Sequence, residues 1–231
     1  MTDTIRETGD RAAFLSAIGR AIGTSDSQFS RPVGALPAPL PPIAYATPTE
    51  TGDGDLVERF AAALTALGGV VRTVADGARL ADVVRDALAL ARRRDEPVRV
   101  VLSDDPECAR LHAYLGAHPA VELLDYTDAA AVATADLGIT GAAAAVALTG
   151  SIVVDAGRAG GRTVSLLPPV HLALVAADAI VATPGDHWRS LRSLMPSNLV
   201  QITGPSRSAD IELIITLGVH GPRALWVALL V

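Results

Sequence analysis

Apolar positions change their period along the chain, and each change predicts an element. Phe14, Leu15 and Ile18 make one stripe of a short amphipathic helix over residues 5–22. Six prolines, Pro32, Pro37, Pro39, Pro41, Pro42 and Pro48, then mark an extended connector over 23–54, with Leu36, Leu40, Ile43 and Tyr45 as possible anchors. From residue 55 to 231 the pattern is regular and reads as one α/β domain. Leu56, Phe60, Leu64 and Leu67 recur at helical spacing, Gly68 and Gly69 stop the helix, and VVRTV follows as a strand. The next helix buries Leu80, Val83, Val84, Ala87, Leu88 and Ala91, and Arg92, Arg93 and Arg94 suit the negative end of its dipole. VRVVLS is a strand, Asp105 with Pro106 opens another helix, and VELLDY is again strand-like.

Short, almost wholly apolar strands alternating with helices predict a mostly parallel sheet covered by helices on both faces. The uncharged stretch Leu137 to Val154 is interrupted by Gly138, Gly141 and Gly150. It predicts a strand, a small-residue helix, a turn at Thr149, Gly150 and Ser151 and a further strand, rather than a membrane span. RTVSLLPPVHLALV places Pro168, Pro169 and His171 between two apolar strands, with the proline pair marking a turn at the sheet edge. His171 is either a proton-exchanging group near a ligand or a hydrogen-bonded core histidine. His187 and Trp188 read as the start of a surface helix capped by Asp186.

Composition narrows the chemistry. All 19 basic residues are arginine, which removes phosphate-loop and Schiff-base lysines. The formal charge of −6, without a basic block, argues against nucleic acid as a partner. Cys108 is the single cysteine, so no intrachain disulfide forms and the chain alone cannot ligate an iron–sulfur cluster, which needs about four thiolates. The five histidines are scattered, and no metal site or cofactor is expected. The mixed-charge amino terminus has no signal-peptide core, and a cytoplasmic location without membrane association is expected.

The densest polar chemistry lies in two turns. Gly204-Pro205-Ser206-Arg207-Ser208-Ala209-Asp210 crowds hydroxyls, a guanidinium and backbone N–H groups after an apolar strand, an arrangement suited to a carboxylate or phosphate. Arg207 either grips such an anion or pairs with Asp210. Glu212 follows in an otherwise apolar run, and Gly218-Val219-His220-Gly221-Pro222 is a tight turn before the last strand. Gly150 either lets backbone approach a ligand or only permits a tight turn. Loops after neighbouring parallel strands gather on one edge. Thr149, Gly150, Ser151, Gly204, Ser206, Arg207, Asp210, Glu212 and His220 are therefore expected around one ligand pocket, with no catalytic residue assigned.

GITGAAAAVALTGSIVV, SLLPPVHLALV and ITGPSRSADIELIITLGVHGPRALWVALL resemble, in order and spacing, the LUD-domain family, lactate utilization protein C group. The resemblance covers about residues 136–230. It implies a fold of the sugar-phosphate isomerase and CoA-transferase superfamily, and association with iron–sulfur proteins that oxidise L-lactate to pyruvate. The family usually has an acidic residue before the Thr-Gly of the first motif, where this chain has Leu148. Two functions follow as expectations. One is an accessory component without a cluster, binding a small organic anion or the partner subunits. The other is a stand-alone enzyme of CoA-transferase or isomerase type acting on a small anionic metabolite.

Overall fold

The computed structural model describes residues 55–93, 96–157, 160–191, 196–208 and 216–231. The expected amino-terminal helix and proline-rich arm lie outside the described residues, as do Asp210 and Glu212.

The first helix among the described residues, α1 (Leu56–Ala66), is capped by Asp55, whose carboxylate accepts from the Val57 N–H, and it buries Phe60 and Leu64 completely. Strand β1 (Val70–Val74) leads to α2 (Gly77–Ala91), which buries the six residues of the predicted stripe. Then come β2 (Val98–Leu102), α3 (Pro106–Gly116), β3 (Val121–Leu124), a one-turn α4 (Ala129–Val132) and β4 (Leu137–Gly141). The second half runs β5 (Ala144–Val146), β6 (Ser151–Asp155), α5 (Thr163–Leu166), β7 (Val170–Ala176) and β8 (Ile180–Val181). It ends with α6 (Pro184–Ser190), β9 (Leu199–Ile202), β10 (Arg207–Ser208), β11 (Thr216–Leu217) and β12 (Ala224–Leu230).

Six strands form a wholly parallel sheet in the order β1-β12-β7-β4-β2-β3. Its central strands are apolar on both faces because both are covered. Along β7, Val170, Leu172 and Leu174 join a core with α2 and α3, while Ala173 and Val175 join a second core with α1 and a four-stranded sheet of order β8-β5-β6-β9. The expected α/β architecture with a mostly parallel central sheet is thus present, and the second sheet is an addition to it. Among the described residues, no helix is long and apolar enough to cross a membrane.

Several local expectations are corrected. The small-residue run after Gly141 is strand β5 rather than a helix, antiparallel to β6 with Ala145 opposite Ile152 and parallel to β8 with Ala145 opposite Ile180. Pairing on both sides outweighs the helix preference of alanine, whose small side chain suits a strand buried on both faces. Thr163–Leu166 is a helical turn, and the proline pair precedes β7, an interior strand, where the Pro169 carbonyl accepts from the Arg223 and Ala224 N–H groups. Thr183, rather than Asp186, caps α6, and the two make a reciprocal capping box. Arg93 leaves the end of α2 to pair with Asp136, 3.1 Å away, a nearly buried carboxylate that also takes Arg99 at 3.4 Å.

Candidate functional site

The turn Thr149-Gly150-Ser151 enters β6, and Thr203 follows β9. Because β6 and β9 are antiparallel, with Ile152 opposite Ile202, these residues meet at one end of the second sheet. The expected gathering therefore comes from antiparallel pairing in that sheet and not from neighbouring parallel strands. Their side chains form a hydroxyl ladder: Thr149 Oγ1 to Ser151 Oγ 2.7 Å, Ser151 Oγ to Thr203 Oγ1 2.8 Å, with Gln201 Nε2 donating to Ser151 Oγ at 3.2 Å. Ser151 is fully buried, so the ladder satisfies its hydroxyl.

Gly150 makes a close backbone approach, but to α1. Its φ is +63°, and a Cβ built there would lie 2.5 Å from the Leu64 backbone nitrogen. Gly204, with φ +83°, sits likewise against Leu67, whose Cβ would be 3.0 Å from an added Cβ. Arg207 reaches the same helix end, its Nη2 donating to the Leu67 carbonyl at 2.6 Å. A cation there also meets the negative end of the helix dipole. The backbone of Ser206 ties this loop to the turn holding His220: its N–H donates to the Pro222 carbonyl and its carbonyl accepts from the Gly218 N–H. His220 is exposed. Thr149, Gly150, Ser151, Gly204, Ser206 and Arg207 are thus gathered against the end of α1, with the His220 turn attached.

A cleft of about 500 Å3 lies elsewhere, between the second sheet and α6, with Asp155, Asp178, His187, Ala144 and Val181 in its lining. The capping box fixes the start of α6 and turns His187 inward. Nε2 of His187 is buried with no hydrogen-bond partner among the described residues, and burial holds the imidazole below its usual pKa. A neutral imidazole beside two carboxylates suits a ligand rich in donors and repels a carboxylate. Sequence reasoning gave His187 only a structural part. The missed signal is Asp155, a carboxylate closing an otherwise apolar strand.

In the parallel sheet the chain leaves β2 for β3 on one side and β4 for β7 on the other, so strand order reverses between β2 and β4. Open α/β sheets place ligands at the carboxyl ends of such strands. Here that crevice is laced shut: Asp105 Oδ2 accepts from Ser103 Oγ at 2.6 Å and from the Gly141 N–H at 3.1 Å. Asp105 braces β2 to β4 and makes no side-chain cap on α3. Cys108 lies behind it, its Sγ 3.5 Å from Ser103 Oγ, and burial pushes its thiol up to about 12. The His220 turn leads into β12 and so lies at the opposite end of this sheet.

His171 is a core residue. It is fully buried, its Nε2 lies 2.9 Å from Thr140 Oγ1, its Nδ1 has no partner among the described residues, and burial lowers its pKa to about 4.

A parallel α/β sheet backed by a small mixed sheet, with glycine-rich turns seated on its first helix, defines the class of domain. The LUD domain family model matches residues 57–230, and the chain belongs to this family. A protein from Deinococcus radiodurans named Lactate utilization protein C is 29% identical over 238 residues, covering 97% of each chain. One of the same name from Halalkalibacterium halodurans is 36% identical over 118 residues, 46% of this chain and 51% of that protein, so that match spans about half of the relative's length. A crystal structure of a DUF162 family protein from Deinococcus radiodurans superposes with a TM-score of 0.56 at 24% identity, over 76% of this chain and 96% of that one.

Proposed function

We propose that this chain serves L-lactate utilization as an accessory component that carries no iron–sulfur cluster and works beside iron–sulfur partner proteins that oxidise lactate to pyruvate. The observation that carries the reading is the relative named Lactate utilization protein C, aligned over 97% of both chains. Its single cysteine supports the non-redox part, since Cys108 is buried and one thiolate holds no cluster. The partner-facing surface, on this reading, is the one built on Thr149 to Ser151, Gly204 to Ser208 and His220. Leu148 and Val219, next in sequence to these segments, and Leu217, paired with Arg207, expose 42%, 53% and 54% of their surface, and apolar groups of this kind suit a protein partner. The paired sheets also fit the sugar-phosphate isomerase and CoA-transferase type of fold. An independent enzyme of that type has less support, because among the described residues the hydroxyl ladder includes no carboxylate or imidazole and Leu148 stands at the position acidic in the family pattern.

Disrupting the gene in its host and comparing growth on L-lactate and on pyruvate tests the role. Growth should fail on lactate alone and return when the chain is supplied. Undiminished growth on lactate overturns the role, and lactate-dependent dye reduction by the purified chain alone overturns the accessory reading.

A further inference from the structure

Arg85, Leu88 and Ala89 share one stripe of α2, and Arg92, the residue that caps the end of the helix, follows at i+7, so two guanidiniums flank an apolar centre over about 10 Å. Facing it, Val98 opens β2, and His118 and Ala120 close the connection from α3 to β3. Together these residues line a pocket of about 230 Å3. Its floor is apolar: Leu88 and Val98 are 6% and 3% exposed. Its charged groups are all basic, since none of the described residues lining it is acidic. That is notable in a chain of net charge −6.

The hydrogen bonds hold these groups in place. The Val98 N–H donates to the Ala120 carbonyl at 2.9 Å and the Val121 N–H to the His118 carbonyl at 3.0 Å, which fixes the loop to the start of β2. The Ala120 N–H donates to His118 Nδ1 at 3.2 Å, so the ring proton resides on Nε2 and His118 presents a donor even when neutral. The Tyr114 ring packs beside it, with centroids 6.0 Å apart. Of the arginines, Arg85 shares its charge with Asp82 on the same helix, whereas Arg92 has no side-chain partner among the described residues. The neighbouring Arg93 and Arg99 are committed to Asp136. Arg92 and His118 Nε2 are therefore the donors available to a ligand.

We infer that this pocket binds a short-chain monocarboxylate, its carboxylate held by Arg92 and His118 and its hydrocarbon body on Leu88, Ala89 and Val98. The volume equals roughly eight waters at about 30 Å3 each, which admits a ligand of a few carbon atoms. An apolar floor beneath basic donors favours butyrate over acetate and over inorganic phosphate, which has no hydrocarbon to bury. The inference takes up small-anion binding, which the proposed role leaves open, and does not depend on that role.

The test is a calorimetric or NMR titration of the purified full chain with butyrate, acetate and inorganic phosphate. Butyrate should bind tightest, and Arg92→Ala and His118→Ala should each weaken it about tenfold or more, as expected for loss of a charge-assisted hydrogen bond. Arg189→Ala, on α6 and paired with Asp186, should leave it unchanged. His118→Asn keeps an acceptor for the Ala120 N–H while removing the Nε2 donor, so it reports on binding even if His118→Ala fails to fold. Absence of butyrate binding, binding indifferent to Arg92 and His118, or phosphate bound as tightly as butyrate overturns the inference. If the chain fails to bind butyrate yet restores growth on lactate, the pocket is rejected and the accessory role stands.

Discussion

Replacing Gly150 by alanine tests whether the Thr149-Gly150-Ser151 turn is primarily a seat for α1. Two costs add. At φ +63° an alanine pays the left-handed backbone penalty, about 1–2 kcal/mol. Its Cβ would also lie 2.5 Å from the Leu64 nitrogen and 2.7 Å from the Ala63 carbonyl carbon, so α1 has to retreat by about 1 Å from a core in which Phe60 and Leu64 are fully buried. Overpacking of that kind costs about 1–3 kcal/mol. The sum, about 2–5 kcal/mol, corresponds to a fall in Tm of about 4–20 °C for a domain of this size. Gly77→Ala is the internal control, because Gly77 opens α2 with nothing within 4 Å of an added Cβ and alanine there should be neutral or slightly stabilising. Urea and thermal unfolding of the two variants beside the parent chain decide the matter. If Gly150→Ala lost less than about 1 kcal/mol relative to Gly77→Ala, the close seating of the turn on α1 would be wrong.

Two further predictions concern buried groups. His171 has its pKa lowered by burial from 6.5 to about 4, so the unfolded chain binds the extra proton first as pH falls; stability present above pH 6.5 is lost between 6.5 and 4, by about 3 kcal/mol. His171→Gln should flatten that segment of a stability-versus-pH profile, and an unaltered slope would assign the acid loss to other groups. Cys108, fully buried and with its thiol pushed up to about 12, should resist a thiol-specific reagent in the folded protein and react on unfolding in urea; prompt labelling of the native chain would contradict its placement behind Ser103 and Asp105.

The legible parts of the fold were those written in local periodicity. The stripe from Leu80 to Ala91 specifies one face of α2 because each residue meets the same core, and VRVVL reads as a strand because both its faces are covered, while VVRTV, at the sheet edge, reads as one from its β-branched residues. What stayed illegible depends on distant partners. Ala144 to Val146 is a strand because β6 and β8 flank it, and nothing within an alanine-rich run announces those neighbours. In the candidate site, the crowding of polar groups at Thr149 to Ser151 and Gly204 to Arg207 was visible, but their partners were not. Ser151 and Thr203 are 52 residues apart, and Arg207 reaches a carbonyl 140 residues earlier, so neither the hydroxyl ladder nor the cap on α1 leaves a local signature. Asp105 shows the converse: its sequence context fits a helix cap, yet the Gly141 N–H, 36 residues away, takes its carboxylate.

These long-range contacts change how variants in the family motif are to be read. Gly150, Gly204 and Arg207 all bear on the last turns of α1, so substitution there loosens a helix whose Phe60 and Leu64 fill the core beneath the second sheet. Domains of this kind are stable by only about 5–15 kcal/mol, and a loss of about 2–5 kcal/mol at Gly150 is enough to lower the amount of folded protein in a cell. Failure of a Gly150 variant to support growth on lactate therefore says nothing about partner contact unless its folded fraction is measured alongside. Arg207 separates the two effects better. It is exposed, and among the described residues its side chain makes one hydrogen bond, to the Leu67 carbonyl, whose loss costs about 1 kcal/mol. An Arg207→Ala chain that stays folded yet fails on lactate has lost a contact made by the outer surface of this loop.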